Sequence, residues 1–362
     1  MSPSNSKPSV ALLDDYLDIA GPHFEQLKPH LSRLGFFPET ISATTNPDAL
    51  IERLKPYNAI LSMRERTAFP RSILSELPNL KFLQTTGTRN ASIDIQACED
   101  LGIILAGTTG TIKPRIKAEG YDNVTEHCFA LILALAKGIP REDNITKEVP
   151  TSWQTRSNIS LAGKTLGLLG LGKLGANTAR TAVLGFGMKI LAWSENLTQE
   201  KADQQAQSKG LPKGTFLVAP TKADLFRHSD ILSIHIVLSP RTRHIVSSPD
   251  LSLMKPTSLL INTSRGPLIN ETDLLTHLSA GRIRGAALDV FDTEPLPADS
   301  PWRTTKWGTE SRSELIISPH MGYVEEQILD VWYDEQAANL ERWLTGEDVL
   351  EKITSKNTGY GK

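Results

Sequence analysis

Three residue types that can do chemistry together stand just past apolar runs in the second half of the chain. Arg265 ends Ile261-Asn262-Thr263-Ser264-Arg265-Gly266, Glu294 ends Leu288-Asp289-Val290-Phe291-Asp292-Thr293-Glu294-Pro295, and His320 lies in Ser318-Pro319-His320-Met321-Gly322. If each run is a strand of a parallel sheet, all three groups lie at the carboxyl edge, where such sheets hold ligands. The set has no activated Ser or Cys, so it does not suit acyl transfer. It suits hydride transfer at a carbonyl. The arginine fork can clamp a carboxylate and polarise the carbonyl. The histidine can pass a proton to the oxygen while hydride arrives at carbon. A glutamate bonded to that histidine would hold its orientation and favour the imidazolium.

Such groups need a sheet to position them and a place for the hydride carrier. Residues 165–175, Thr-Leu-Gly-Leu-Leu-Gly-Leu-Gly-Lys-Leu-Gly, supply the latter. An apolar strand runs into Gly170-Leu171-Gly172-Lys173-Leu174-Gly175, which is G-x-G-x-x-G, and a helical segment follows from about Ala176 to Leu184. The first glycine allows the turn, the second lets the backbone approach a pyrophosphate, and the third lets helix and strand pack closely. The N–H groups and dipole of the helix N-terminus then face the phosphates. Further strands are expected at Lys189–Trp193, Ile231–Val237, Ser258–Ile261, Gly285–Val290 and Leu315–Ser318. Helix starts are expected at Thr221, at Ser248-Pro249 and at Asn270. Six or seven strands after residue 160 suffice for a complete dinucleotide-binding sheet.

The first half shows a second alternation. Apolar runs at Val10–Leu13, Ala59–Met63, Leu80–Gln84 and Ile103–Ala106 are separated by helical patterns, including one through Phe24, Leu27 and Leu31. This predicts parallel βαβ units. Two loops leave the strand ends, one with Arg64 and one with Gly87, Thr88, Arg89 and Asn90. Residues 107–122 break the rhythm and read as the crossing between domains, with a basic surface loop around Lys113, Arg115 and Lys117. Val124 to Lys137 is a helix apolar nearly all round, expected to be buried between domains or against another subunit. Residues 139–160 read as a polar, irregular excursion, and Trp302 to Glu314 as a cover for the site or part of a dimer surface. The last helix, Val324 to Leu344, should pack back on the first domain, with a loose tail after Ile353.

Bulk properties exclude several classes. The 362 residues carry a net charge of −2, so no electrostatic attraction to nucleic acid or anionic membrane is expected. The first residues are polar without a signal core, and no apolar stretch approaches the ~20 residues of a membrane span. Cys98 and Cys128 read as apolar-face residues of a reducing, cytoplasmic setting, and no His/Cys/Asp/Glu cluster has metal-ligand spacing.

The ordered set Gly-Leu-Gly-Lys-Leu-Gly, Asn-Thr-Ser-Arg-Gly, Asp-Val-Phe-x-x-Glu-Pro and Ser-Pro-His-x-Gly, with Val124-Thr125-Glu126-His127 before the apolar helix, resembles the D-isomer-specific 2-hydroxyacid dehydrogenase family. The resemblance covers nearly the whole chain. It implies an α/β protein of two Rossmann-like domains: a flavodoxin-like substrate domain (1–120 plus 324–362) and an NAD(P)-binding Rossmann domain (121–323). It implies Arg265, Glu294 and His320 as the catalytic set. Gly170, Gly172, Lys173, Leu174, Gly175, Ser194, Val237, Leu238, Thr263, Ser264, Asp289 and Gly322 would be cofactor positions. The substrate carboxylate would meet N–H groups of the Gly87-Thr88 loop, with Arg64 and Arg89 nearby. A homodimer through the Rossmann domain is implied. The acidic residue expected after the strand Lys189–Trp193 is Ser194 here, which removes the repulsion of a 2′-phosphate, so the cofactor is NAD or NADP. The expected activity is reduction of a glyoxylate-type, hydroxypyruvate-type or bulkier 2-oxo acid. A NAD(H)-sensing corepressor-like protein of the same fold is the alternative.

Overall fold

The computed structural model describes residues 7–110 and 122–357, so the basic loop expected within 111–121 lies outside the described residues. The chain divides into two compact units, Met1–Ile116 with Glu325–Lys362, and Lys117–Val324.

The first unit is built on five parallel strands: β1 (Ser9–Leu13), β2 (Arg33–Phe37), β3 (Ala59–Ser62), β4 (Phe82–Thr85) and β5 (Ile104–Ala106). Their order is β2-β1-β3-β4-β5, the flavodoxin-like winding. β1, β3 and β4 are buried throughout, which is why β1 and β3 read as largely apolar runs, while β4 buries Gln84 and Thr85 as well. The helical pattern through Phe24 and Leu27 is a 3₁₀ helix, Gly21–His30. The closing helix, Glu326–Thr345, belongs to this unit. Trp343 stacks on Phe82 at 5.5 Å, and the Tyr333 hydroxyl donates to Asp15 Oδ1 at 3.1 Å. The tail is not loose as far as residue 357. Ile353 N–H donates to Leu105 O, and Ser355 donates to the Glu99 carboxylate through both its N–H and its hydroxyl.

The second unit carries seven parallel strands: β6 (Thr165–Leu169), β7 (Lys189–Trp193), β8 (Phe216–Val218), β9 (Ile231–Ile234), β10 (Leu259–Asn262), β11 (Gly285–Leu288) and β12 (Glu314–Ile317). The order β12-β11-β10-β9-β6-β7-β8 is the dinucleotide-binding winding with one added strand, and its topological switch falls between β6 and β9. β9 ends at Ile234, three residues earlier than the apolar run, so 235–240 form a loop at the switch point. Helices start where expected: Thr221 Oγ1 accepts the Asp224 N–H, Ser247 and Asp250 form a capping box, and Asn270 accepts the Asp273 N–H.

The apolar helix Asn123–Lys137 is capped by Asp122 and ended by left-handed Gly138. It packs on its own sheet through Cys128, Leu131, Ile132 and Leu135, while Phe129 stacks on Phe186 at 5.0 Å. Much of its apolar girth is therefore used inside the unit. The excursion is not wholly irregular either: Ile139–Glu148 is a helix with no buried residue, invisible to hydrophobic periodicity. Arg156 braces the remainder by pairing with Glu314 and donating to Leu135 O. Residues 302–314 also fold onto their own unit. Trp302 is buried in the core, and Ser313 bonds to Leu278 O and Ile283 O.

Candidate active site

The turn after β6 is made by the absence of side chains. Gly170 has φ +105°, and a Cβ there would stand 2.8 Å from the His235 backbone. A Cβ at Gly175 would stand 2.4 Å from Gly170 O, so only glycine lets the helix come this close. Gly172 differs, because a Cβ there meets nothing within 4 Å among the described residues. The glycine keeps space open in front of helix Lys173–Phe186, whose N-terminus has no side-chain cap. Open backbone at a helix N-terminus is what a pyrophosphate needs, so these residues fit a dinucleotide. Around the same edge stand exposed apolar side chains, Leu174, Val237 and Met321, the last two beyond β9 and β12. They offer apolar surface to flat rings. Lys173 is exposed at the helix start, Leu238 packs into the core, and Ser194 is half-buried directly after β7. Half-buried His235, bonded to Ser233 Oγ at 2.9 Å, is pushed down to about 4 by burial and stays neutral beneath the turn.

The turn after β10 is organised by buried Asn262. Its amide donates to Arg265 O at 3.0 Å and accepts the Ser264 N–H at 3.1 Å. Ser264 Oγ ties the turn to β9 by donating to Ile234 O, and Thr263 is buried. Arg265 emerges half-buried, with Nη1 donating to Ser264 O. A Cβ at Gly266 would stand 2.1 Å from the Phe291 carbonyl carbon. The absence of that atom lets the Arg265 turn abut the loop carrying Glu294.

Glu294 and His320 meet. Glu294 Oε1 accepts the Phe291 N–H at 2.8 Å, and Oε2 lies 2.7 Å from His320 Nδ1. With Nδ1 engaged by a carboxylate, Nε2 is the ring nitrogen that this bond leaves over. His320 has φ +56°, and the Tyr323 ring meets its imidazole edge-on at 5.5 Å.

Asp289 has its carboxylate taken up by the chain. Oδ1 accepts from Ser318 Oγ, the Met321 N–H and His127 Nε2, and Oδ2 accepts the Gly322 N–H. Burial pushes its carboxyl up, but the hydrogen bonds from His127, Ser318 and Met321 outweigh that and hold it below the ordinary value. His127 is the residue sequence reading passes over as structural. Its only signal was its place in Val124-Thr125-Glu126-His127.

On the first unit, Arg64 is held in a left-handed conformation (φ +51°). Its N–H donates to Thr86 Oγ1, and its carbonyl accepts from Asn90. The guanidinium lies 5.7 Å from the centre of the Trp332 ring, a cation–π distance. It also lies against Gly87, where a Cβ would be 2.0 Å from Nη1. The Gly87 N–H donates to buried Thr108 Oγ1 at 2.7 Å. Thr88 and Arg89 are exposed.

A dinucleotide-type turn and an Arg, Glu and His set lie on one edge of a doubly wound parallel sheet, the architecture of a dinucleotide-binding domain. Residues 129–322 match the family model "D-isomer specific 2-hydroxyacid dehydrogenase, NAD binding domain", and the chain belongs to that family. A D-3-phosphoglycerate dehydrogenase of Methanocaldococcus jannaschii is 30% identical over 310 residues, covering 86% of this chain and 54% of that protein. A glyoxylate reductase of Aeropyrum pernix is 32% identical over 256 residues, 68% of each. The chain thus spans about half the length of the phosphoglycerate dehydrogenase relatives it matches. Among solved structures, a phosphoglycerate oxidoreductase from Vibrio cholerae superimposes with a TM-score of 0.77 at 32% identity, covering 94% of this chain and 99% of that one.

Proposed function

We propose that this chain is an NAD(P)-dependent reductase of small 2-oxo acids, acting in reverse as a D-2-hydroxyacid dehydrogenase. The observation that carries the reading is the 2.7 Å bond between His320 Nδ1 and Glu294 Oε2, on the same sheet edge as the Gly170–Gly175 turn. A bound reduced nicotinamide supplies the hydride. His320 Nε2 donates the proton to the carbonyl oxygen as it gains charge. Glu294 holds the ring and offsets the imidazolium. Arg265 pairs with the substrate carboxylate and polarises the carbonyl, which its planar fork allows. Arg64, Thr88 and Arg89 are proposed as anion-binding groups on the first unit.

The dinucleotide is held by the Gly170–Gly175 turn, with Val237 and Leu238 beside it. Ser194 after β7 carries no charge to repel a 2′-phosphate, so NADP is admitted alongside NAD. The relatives named glyoxylate and hydroxypyruvate reductase support small unphosphorylated substrates. Exposed Ile139, Val149 and Trp153 support a homodimer formed through the second unit. Two buried, unpaired cysteines support a reducing compartment such as the cytoplasm. The test is oxidation of NADH and of NADPH, in parallel, with glyoxylate, hydroxypyruvate and a bulkier 2-oxo acid. Turnover is expected with at least one pairing, and its absence across the panel would overturn the reading.

A further inference from the structure

The loop carrying His320 is held from below by one carboxylate. Asp289 accepts the His320 N–H through its backbone carbonyl at 2.8 Å. Its side chain accepts the Met321 N–H at 2.7 Å on Oδ1 and the Gly322 N–H at 3.0 Å on Oδ2. These bonds bracket a histidine whose left-handed backbone is unfavourable for a residue with a Cβ. The orientation of the Asp289 carboxylate therefore bears on where the His320 backbone stands, while Glu294 holds the ring itself. Two side chains set that orientation: Ser318 Oγ at 2.5 Å and His127 Nε2 at 3.1 Å. His127 Nε2 is also 3.2 Å from Ser318 Oγ. Ser318, Met321 and Gly322 belong to the loop itself. Among the described donors to this carboxylate, His127 is the one that comes from another element, helix Asn123–Lys137 near its start. Gly322 keeps the junction tight, since a Cβ there would lie 3.3 Å from Asp289 Oδ2 and 3.8 Å from His127 Cδ2.

We propose that His127 is a positioning residue for His320, anchoring the Asp289 carboxylate, and through it the Ser318–Gly322 loop, to the apolar helix. The proposal rests on the reading of His320 as the proton donor. Asp289 is an acceptor, so His127 acts as an Nε2–H donor. Catalysis feels its loss through geometry, because a proton donor displaced by about 1 Å loses up to about 10²-fold in rate.

Two variants of the full chain separate a donor from a filler. His127→Gln places an amide N–H at about the reach of Nε2, while His127→Asn is polar but too short. Each is measured for kcat, for KM of the 2-oxo acid and of NADH, and by histidine-selective ¹⁵N–¹H NMR of the His320 Nδ1–H bonded to Glu294. For His127→Asn, the expected result is a kcat lowered by about 10- to 100-fold, a KM for NADH within about threefold, and a displaced or broadened His320 signal. His127→Gln is expected to restore the signal and most of kcat. A folded His127→Asn with wild-type kcat and an unmoved His320 signal overturns the proposal, as does a His127→Gln that restores neither. If the wild-type chain turns over no 2-oxo acid, the functional reading fails, while the NMR comparison still decides the role of His127.

Discussion

The Gly170–Gly175 turn and the Ser318–Gly322 turn lie at the same edge of one parallel sheet and are made by opposite means. The first is shaped by missing side chains: two glycines without which the backbone would collide with itself, and a third in front of open space. The second is shaped by crowding, with four donors converging on the buried Asp289 carboxylate to hold a left-handed histidine. Under the proposed function, the difference separates two tasks. A phosphate is bound by backbone dipoles that need room. A proton is delivered by a side chain that must not move.

Breaking the crowded turn at its tip should have the largest effect. His320→Ala is expected to lower kcat by about 10²- to 10⁴-fold, the usual worth of a general acid. Cofactor affinity, read by nicotinamide fluorescence, should stay within about threefold, because no phosphate contact is touched. Lost cofactor binding would merge the two turns into one site and end the comparison.

The empty turn can be split between its own glycines. Gly172→Ala should weaken cofactor binding by about tenfold or more, roughly 1.4 kcal/mol, with the melting temperature unchanged. Gly175→Ala should weaken binding and also destabilise the fold by about 1–3 kcal/mol, as overpacking against backbone does. Calorimetric unfolding beside cofactor titration reads both. Equal melting losses in the two variants would remove the distinction between ligand room and packing room.

The smallest effect concerns acid stability under the empty turn. His235 is pushed down to about 4 by burial, against an ordinary value of 6.5. The unfolded chain therefore binds the extra proton first. Stability from this group is complete above pH 6.5 and declines as pH falls toward 4, by at most about 3 kcal/mol. His235→Gln should flatten that part of the melting-temperature profile. An unchanged profile would move the acid sensitivity elsewhere.

What was legible in the sequence divides along the same line. The empty turn is contiguous, so its glycines announce it in six residues, and buried strands such as β1 and β9 read as apolar runs. Two of the edge strands did not: β2 is only half-buried, and β8 has three residues, with Leu217 exposed. Helix Gln199–Ser208 buries only Ala202 and Ala206, too little for a periodic signal. Arg265, Glu294 and His320 were visible because each follows its own strand. Their anchoring was not. His127 and Asp289 are 162 positions apart, and nothing local marks a helix histidine as the partner of a strand-end carboxylate. The bond from the Gly87 N–H to Thr108 was hidden for a similar reason, since the two are 21 residues apart.

The central claim is that the crowded turn passes a proton while hydride crosses from a nicotinamide held at the empty one. The most direct measurement is isotope transfer from a reduced nicotinamide deuterated at C4, with the product analysed by mass spectrometry and chiral separation. The account predicts a D-2-hydroxy acid carrying one deuterium at C2, formed by the wild-type chain and nearly abolished in His320→Ala. A product without deuterium, or one formed equally well by His320→Ala, would contradict it.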